Sequence, residues 1–318
     1  MSMDYTPDNT FIFSFVRMNP PTPGHLELIK TMINKGIDLG VNKAYVITSS
    51  SLDGKNPLPC SNYSIPKAKN KSDAAILTNM SQTDVIYKSS VLDQMILSYK
   101  QQLVNAEPDS TKKQQIENFN VIVICSVGSP FGFIYNVIIN DFLDKGVTKI
   151  NMFFIVGRDR ADFLDTIVDN FKMKDYINSI NGMILEREGM DALKTTGLGK
   201  RTIADISLSE YSASFIRGLV KNNRREDFEQ VYSQYLNPKE IEKLYNTITI
   251  GMTMKQPPPS KDEDENPQSR YFDGGLLPVI NVAGGRNRNR KKKRSVRRNN
   301  PSPKLRKIRK KTTRKHRK

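Results

Sequence analysis

The sequence predicts an α/β chain built on a parallel sheet, and three observations carry that expectation. Four short runs rich in Val, Ile and Phe, at residues 10–15, 44–48, 120–125 and 150–156, suit strands covered on both faces. Segments with apolar residues at helical spacing lie between and after them. The resulting order of strand, helix and strand is that of βαβ units, whose strands run parallel.

The first strand is Phe11-Ile12-Phe13-Ser14-Phe15. The helix after it covers 24–35, where Leu26, Leu28, Ile29, Met32 and Ile33 share a face. Pro21 and Pro23 suit a turn and a first helical position, and Gly24 lets the backbone approach a ligand closely. After the second strand, 72–79 and 90–104 have helical spacing, whereas 57–71 and 105–111 read as loops. The third strand ends at Cys125, which reads as a small buried hydrophobe. Two cysteines, Cys60 and Cys125, make no disulfide framework, and no Cys or His cluster suggests zinc. Residues 131–143 form a helix that Gly146 stops before the fourth strand, and 161–171 form the next. Residues 212–221 and 224–236 are amphipathic helices, and Pro238 starts a third.

Beyond 250 the composition changes. Residues 251–285 hold a Pro-rich stretch (Gln256-Pro257-Pro258-Pro259), an acidic one at 261–265 and a partly apolar segment at 271–285 that suits docking. Residues 286–318 hold 19 of the 50 Lys and Arg and none of the 33 acids, so the formal charge of +17 belongs to this tail. It has almost nothing to bury and is expected to be disordered. Its basic runs suit non-specific contacts with nucleic acid or a nuclear address, and no interleaved aromatic residue supports base stacking. Residues 1–250 form the folded α/β domain. A charged-then-apolar leader and a membrane-length apolar run are both absent, which makes an intracellular location, cytoplasmic or nuclear, the expectation.

Three segments carry chemistry. The first is Asn19-Pro20-Pro21-Thr22-Pro23-Gly24-His25, with the only histidine in the first 315 residues. A strand–turn–helix junction presents unpaired N–H groups and the positive end of a helix dipole, which attract phosphate. The second is Gly157-Arg158-Asp159 at the fourth strand's end, where a carboxylate suits either ribose hydroxyls or a helix cap. The third is Tyr211-Ser212-Ala213-Ser214-Phe215-Ile216-Arg217. Its two hydroxyls stand at a helix start, with an Arg one turn inside that can fork across two phosphate oxygens. A Ser-capped helix with an exposed Arg is the plainer alternative.

In this order, the three segments resemble the nucleotidyltransferase superfamily typified by nicotinamide-nucleotide adenylyltransferases and cytidylyltransferases. That family opens on Gly-x-Phe-x-Pro-x-(His/Thr)-x-Gly-His, has a central Gly-x-Asp and a late Ile-Ser-x-Thr-x-x-Arg. The stretch Lys55-Asn56-Pro57-Leu58 is similar to a segment of its phage and large-DNA-virus members. The resemblance spans roughly residues 10–248 and implies a Rossmann-like doubly wound sheet. It implies transfer of a nucleotidyl group, adenylyl before cytidylyl, from a nucleoside triphosphate such as ATP with Mg2+ to a small phosphate ester.

Under that resemblance, His25 would donate to the α-phosphate, with Thr22 assisting and Val16, Arg17 and Gly24 lining the same turn. Ser212, Ser214 and Arg217 would hold the departing phosphates, Gly157 and Asp159 the ribose, and Lys55 a phosphate. No protein ligand for the metal is implied. Val16 stands where the family has glycine, and Tyr211 and Ser214 where it has Ile and Thr. The rival expectation is a non-catalytic nucleic-acid or virion protein that works through 286–318.

Overall fold

The computed structural model describes residues 5–61, 84–126, 130–158, 161–186 and 201–253. The segments expected at 72–79, 256–285 and 286–318 lie outside them.

Five strands form one all-parallel sheet: β1 (Thr10–Val16), β2 (Lys43–Ser49), β3 (Asn120–Ser126), β4 (Ile150–Gly157) and β5 (Ile177–Leu185), in the order β3-β2-β1-β4-β5. Helices cover both faces, as a Rossmann-like doubly wound sheet requires. The helices are α1 (Pro23–Asp38), α2 (Lys88–Ala106), α3 (Ser110–Asn118), α4 (Pro130–Asp141), α5 (Asp162–Phe171), α6 (Ala213–Lys221), α7 (Arg225–Tyr232) and α8 (Pro238–Met252).

The side-chain alternation of β1 divides two cores. Ile12 and Val16 face α1, α2 and the C-terminal helices α6 to α8, whereas Phe11 and Phe13 face α4 and α5. Apolar residues on both faces are what made the strands read as continuous runs. The strand order reverses at β1, between β2 and β4, and ligands of such sheets bind outside the carboxyl ends at this crossover. The β1–α1 turn stands there.

Three expectations need correction. Residues 177–185 form an edge strand that the sequence did not announce, because Asn178, Ser179, Asn181 and Gly182 break its apolar pattern. The loop expected at 105–111 is shorter: Asp109 caps α3, accepting from the Lys112 N–H at 2.8 Å. The Cys60 and Cys125 sulfurs are bonded to each other, so Cys125 is no simple core hydrophobe. This bond ties the loop after β2 to the end of β3. Among the described residues no helix is long and apolar enough to cross a membrane.

Candidate active site

The turn between β1 and α1, residues 17–22, is held from five sides. It contains a cis Asn19–Pro20 peptide and Met18 at φ 42°, a left-handed conformation that is costly for a bulky residue. Met18 is buried in the core, which helps to hold it there. The Lys88 ammonium at the start of α2 donates to the Arg17 carbonyl at 3.0 Å. Arg217 of α6 donates from Nη1 to the Asn19 carbonyl at 2.5 Å. The Asn19 side chain exchanges two 2.9 Å bonds with the Leu58 backbone. Tyr232 of α7, fully buried, donates to the Pro21 carbonyl at 2.6 Å. The Thr22 hydroxyl, also buried, reaches the Tyr211 carbonyl at 3.0 Å.

Thr22 is the N-cap of α1, and His25 occupies the third helical position, where a capping box places its reciprocal partner. The Thr22 N–H donates to His25 Nδ1 at 2.9 Å, and the Thr22 hydroxyl lies 2.9 Å from the same nitrogen. An accepting Nδ1 leaves the ring proton on Nε2. The imidazole is half-buried and held at Nδ1 by Thr22.

The starts of α1 and α6 lie against each other. A Cβ on Gly24 would stand 2.3 Å from the Tyr211 carbonyl oxygen. The glycine is therefore required by this helix–turn contact, rather than by the approach of a ligand alone. Tyr211 leads directly into α6, whose N-cap Ser212 accepts from the Phe215 N–H at 3.1 Å. Two helix N-termini, each positive in its dipole, are thus neighbours. Ser214 is exposed and accepts from Arg217 Nη2 at 3.1 Å, so Arg217 divides its fork between the Asn19 carbonyl and this hydroxyl.

The charge around the turn is mainly positive. Burial, and then the nearby Arg17, lower Arg217 from its ordinary value, with Asp53 opposing. Burial, and then Arg17, bring Lys88 down to about 7. Arg17 itself is exposed. Asp53 Oδ1 accepts from the N–H groups of Lys55 (2.7 Å) and Asn56 (2.9 Å), folding the 53–58 loop tightly. Gly251 of α8 packs on that loop so closely that a Cβ would stand 2.0 Å from the Pro57 oxygen.

The structure thus joins Thr22, Gly24, His25, Ser212, Ser214 and Arg217 through the 19–22 turn. Val16 ends β1 with its side chain in the α1-side core, only 9% exposed. Gly157 ends β4, the other strand beside β1, and the parallel pairing of the two runs from Thr10↔Asn151 to Phe13↔Phe154, three residues short of both strand ends. Lys55 is exposed, and its structural bond is made by its backbone. Asp159 lies outside the described residues. Sequence reasoning missed Lys88, a single Lys ahead of an apolar helical pattern with no motif to mark it.

A cavity of about 320 Å3, lined by Pro23, Ile203, Leu208, Tyr211, Gln234 and Tyr235 among others, adjoins the junction but includes none of the candidate residues. Among the described residues no cluster of three or more His, Cys, Asp or Glu stands ready for a metal ion. Compared with protein-family models and with curated proteins, the chain matches none.

Proposed function

We propose that this chain is a nucleotidyltransferase that moves a nucleotidyl group, adenylyl in our reading, from the Mg2+ complex of a nucleoside triphosphate to a small phosphomonoester such as nicotinamide mononucleotide. One observation carries the reading. His25 and Arg217, on two helices whose N-termini touch, are tied to the two ends of the same Asn19–Thr22 stretch outside β1. Paired helix N-termini, a donor fixed by its neighbour and a forked cation on the same turn suit a triphosphate.

In the reaction an oxygen of the acceptor phosphate attacks the α-phosphorus, and the bond to the bridging oxygen of the β-phosphate breaks. Pyrophosphate leaves with that electron pair. No covalent enzyme intermediate is needed, so the protein acts by positioning and by stabilising charge. The Nε2–H of His25 donates to the α-phosphate oxygens as negative charge builds, and Thr22 keeps the ring aimed. Ser214 and Arg217 hold the leaving phosphates. Gly157 gives the ribose room at the end of β4, and Asp159 accepts from its hydroxyls. Mg2+ would enter as part of the triphosphate substrate and supply neutralisation of the phosphate charge.

Pyrophosphate release from each of the four nucleoside triphosphates, with Mg2+ and a panel of phosphate esters, tests this. Release that requires both ATP and an ester is expected. Preference for CTP would make the chain a cytidylyltransferase, and no release with any pair would overturn the reading.

A second reading rests on the charge distribution: the basic residues concentrated in 286–318 would hold nucleic acid without sequence preference. Binding to duplex DNA that weakens steeply with salt and disappears on deletion of 286–318 is its expected signature. That binding without any nucleotide turnover would favour a non-catalytic role.

A further inference from the structure

Lys88 is fully buried at the first position of α2, and its ammonium donates to the carbonyls of Arg17 and Ser49, at the ends of β1 and β2. Among the described residues no carboxylate pairs with it. A buried cation without a counter-ion is expensive, whereas a neutral amine can supply both N–H bonds without that cost. Arg17 at the end of β1 repels it, and the same Arg17 acts on Arg217 of α6, where Asp53 from the loop after β2 opposes it. Asp93 shares its helix, and burial raises that carboxyl. The end of β2 offers only Ser49 and Ser51, which do not ionise.

We propose that Lys88 is the counter-charge beneath the anion site, so that a polyphosphate bound beside Arg17 and Arg217 brings a proton from solvent onto the Lys88 amine. The inference rests on the reading of this crevice as a polyphosphate site. The bound anion offsets the repulsion of Arg17 and supplies the counter-charge that the buried amine lacks. The free protein keeps the amine partly neutral near pH 7 because burial disfavours its charge. Binding energy and proton uptake are then linked. Lys88 acts here as a positioning residue, since its amine already holds the two strand ends and is closed to solvent.

Calorimetric titration of the full chain with inorganic tripolyphosphate, at pH 8 in two buffers of different ionisation enthalpy, reads the proton count. The wild type is expected to take up about half a proton or more beyond the count for Lys88→Met. Lys88→Arg, which stays charged, serves if the Met variant does not fold. Nuclear magnetic resonance of 15Nζ-labelled wild-type protein needs no variant: the titration of the buried amine should move up by about one pH unit or more on adding tripolyphosphate. Equal proton counts, or an unmoved titration, with tripolyphosphate bound would overturn the role of Lys88 and leave the site standing. Failure of the wild type to bind tripolyphosphate or ATP would overturn the site and Lys88 together.

Discussion

Thr22 and His25 hold each other in one geometry: the Thr22 N–H donates to His25 Nδ1 at 2.9 Å, while the Thr22 hydroxyl spans 2.9 Å to that nitrogen and 3.0 Å to the Tyr211 carbonyl. One buried residue thus fixes the imidazole and the turn that leads into α6. His25→Ala should lower pyrophosphate release by ~10²-fold or more while the fold survives, as loss of a transition-state donor does. Thr22→Val should also lower it, and additionally cost roughly 1–3 kcal/mol of stability because the Tyr211 carbonyl loses its partner. Rates and thermal melts of the two variants together separate the chemical role from the structural one.

The contact between α1 and the Tyr211 turn leaves no room for a methyl group. Gly24→Ala would place a Cβ 2.3 Å from a backbone oxygen, which cannot swing aside as a side chain can. The expected loss is on the order of 1–3 kcal/mol, typical of overpacking. Arg217 should move away from His25 as the two helix starts part, so the Michaelis constant for ATP should rise as well. Gly218, one turn inside α6, has open space at its Cβ position. Gly218→Ala should be neutral or slightly stabilising, because alanine is the better helix former. Melting curves of the pair make the comparison within one experiment.

The legible parts of this fold were those where one residue type answers to one cause. The strands β1, β2 and β4 are buried on both faces, and Val, Ile and Phe dominate β1, β3 and β4. The start of α1 was legible because Pro at the first position and a capping residue before it are local signals. Strand β5 was not, since Asn, Ser and Gly interrupt its apolar residues, whereas β3, the other edge strand, keeps the run Val-Ile-Val-Ile. The same limit applies inside the site. Thr22, His25 and Arg217 sit in recognisable local patterns, whereas Lys88 acquires its character from two carbonyls, 71 and 39 residues away in the chain. Long-range pairing of that kind leaves no periodicity to read.

Acid should loosen the turn before Tyr211. Glu210 accepts from both Arg201 arms, at 2.8 and 2.9 Å, and from the Ser207 N–H and hydroxyl, each at 2.8 Å. Those partners, the Arg201 guanidinium first, hold its carboxyl down at about 2. A depressed carboxyl stabilises the fold fully above its ordinary value near 4.5 and loses that contribution as the pH falls through 2. The Arg201 side chain is 40% exposed, so screening reduces the gain to on the order of 1–2 kcal/mol. Melting temperatures between pH 5 and about 2 should fall more steeply for the wild type than for Glu210→Gln. Parallel curves would remove Glu210 as the cause.

Arg217 spends one arm of its fork on the Asn19 carbonyl and the other on the Ser214 hydroxyl, which also orients it toward the exposed face of the crevice. A lysine carries the same charge but cannot keep both bonds and still present a planar donor pair to a phosphate. Arg217→Lys should therefore leave the melting temperature within a few degrees, since part of the guanidinium is solvent-facing, yet weaken ATP by roughly 10-fold or more, as loss of a charge-assisted hydrogen bond does. Ser214→Ala should weaken ATP less, because it removes a neutral donor and one partner of the guanidinium. Combining the two changes should give less than the sum of their separate losses, since the two side chains are bonded to each other and, in the proposed site, act on one phosphate. Equilibrium binding of ATP with Mg2+ to the four proteins measures that coupling, and full additivity would show that Ser214 and Arg217 do not share a phosphate.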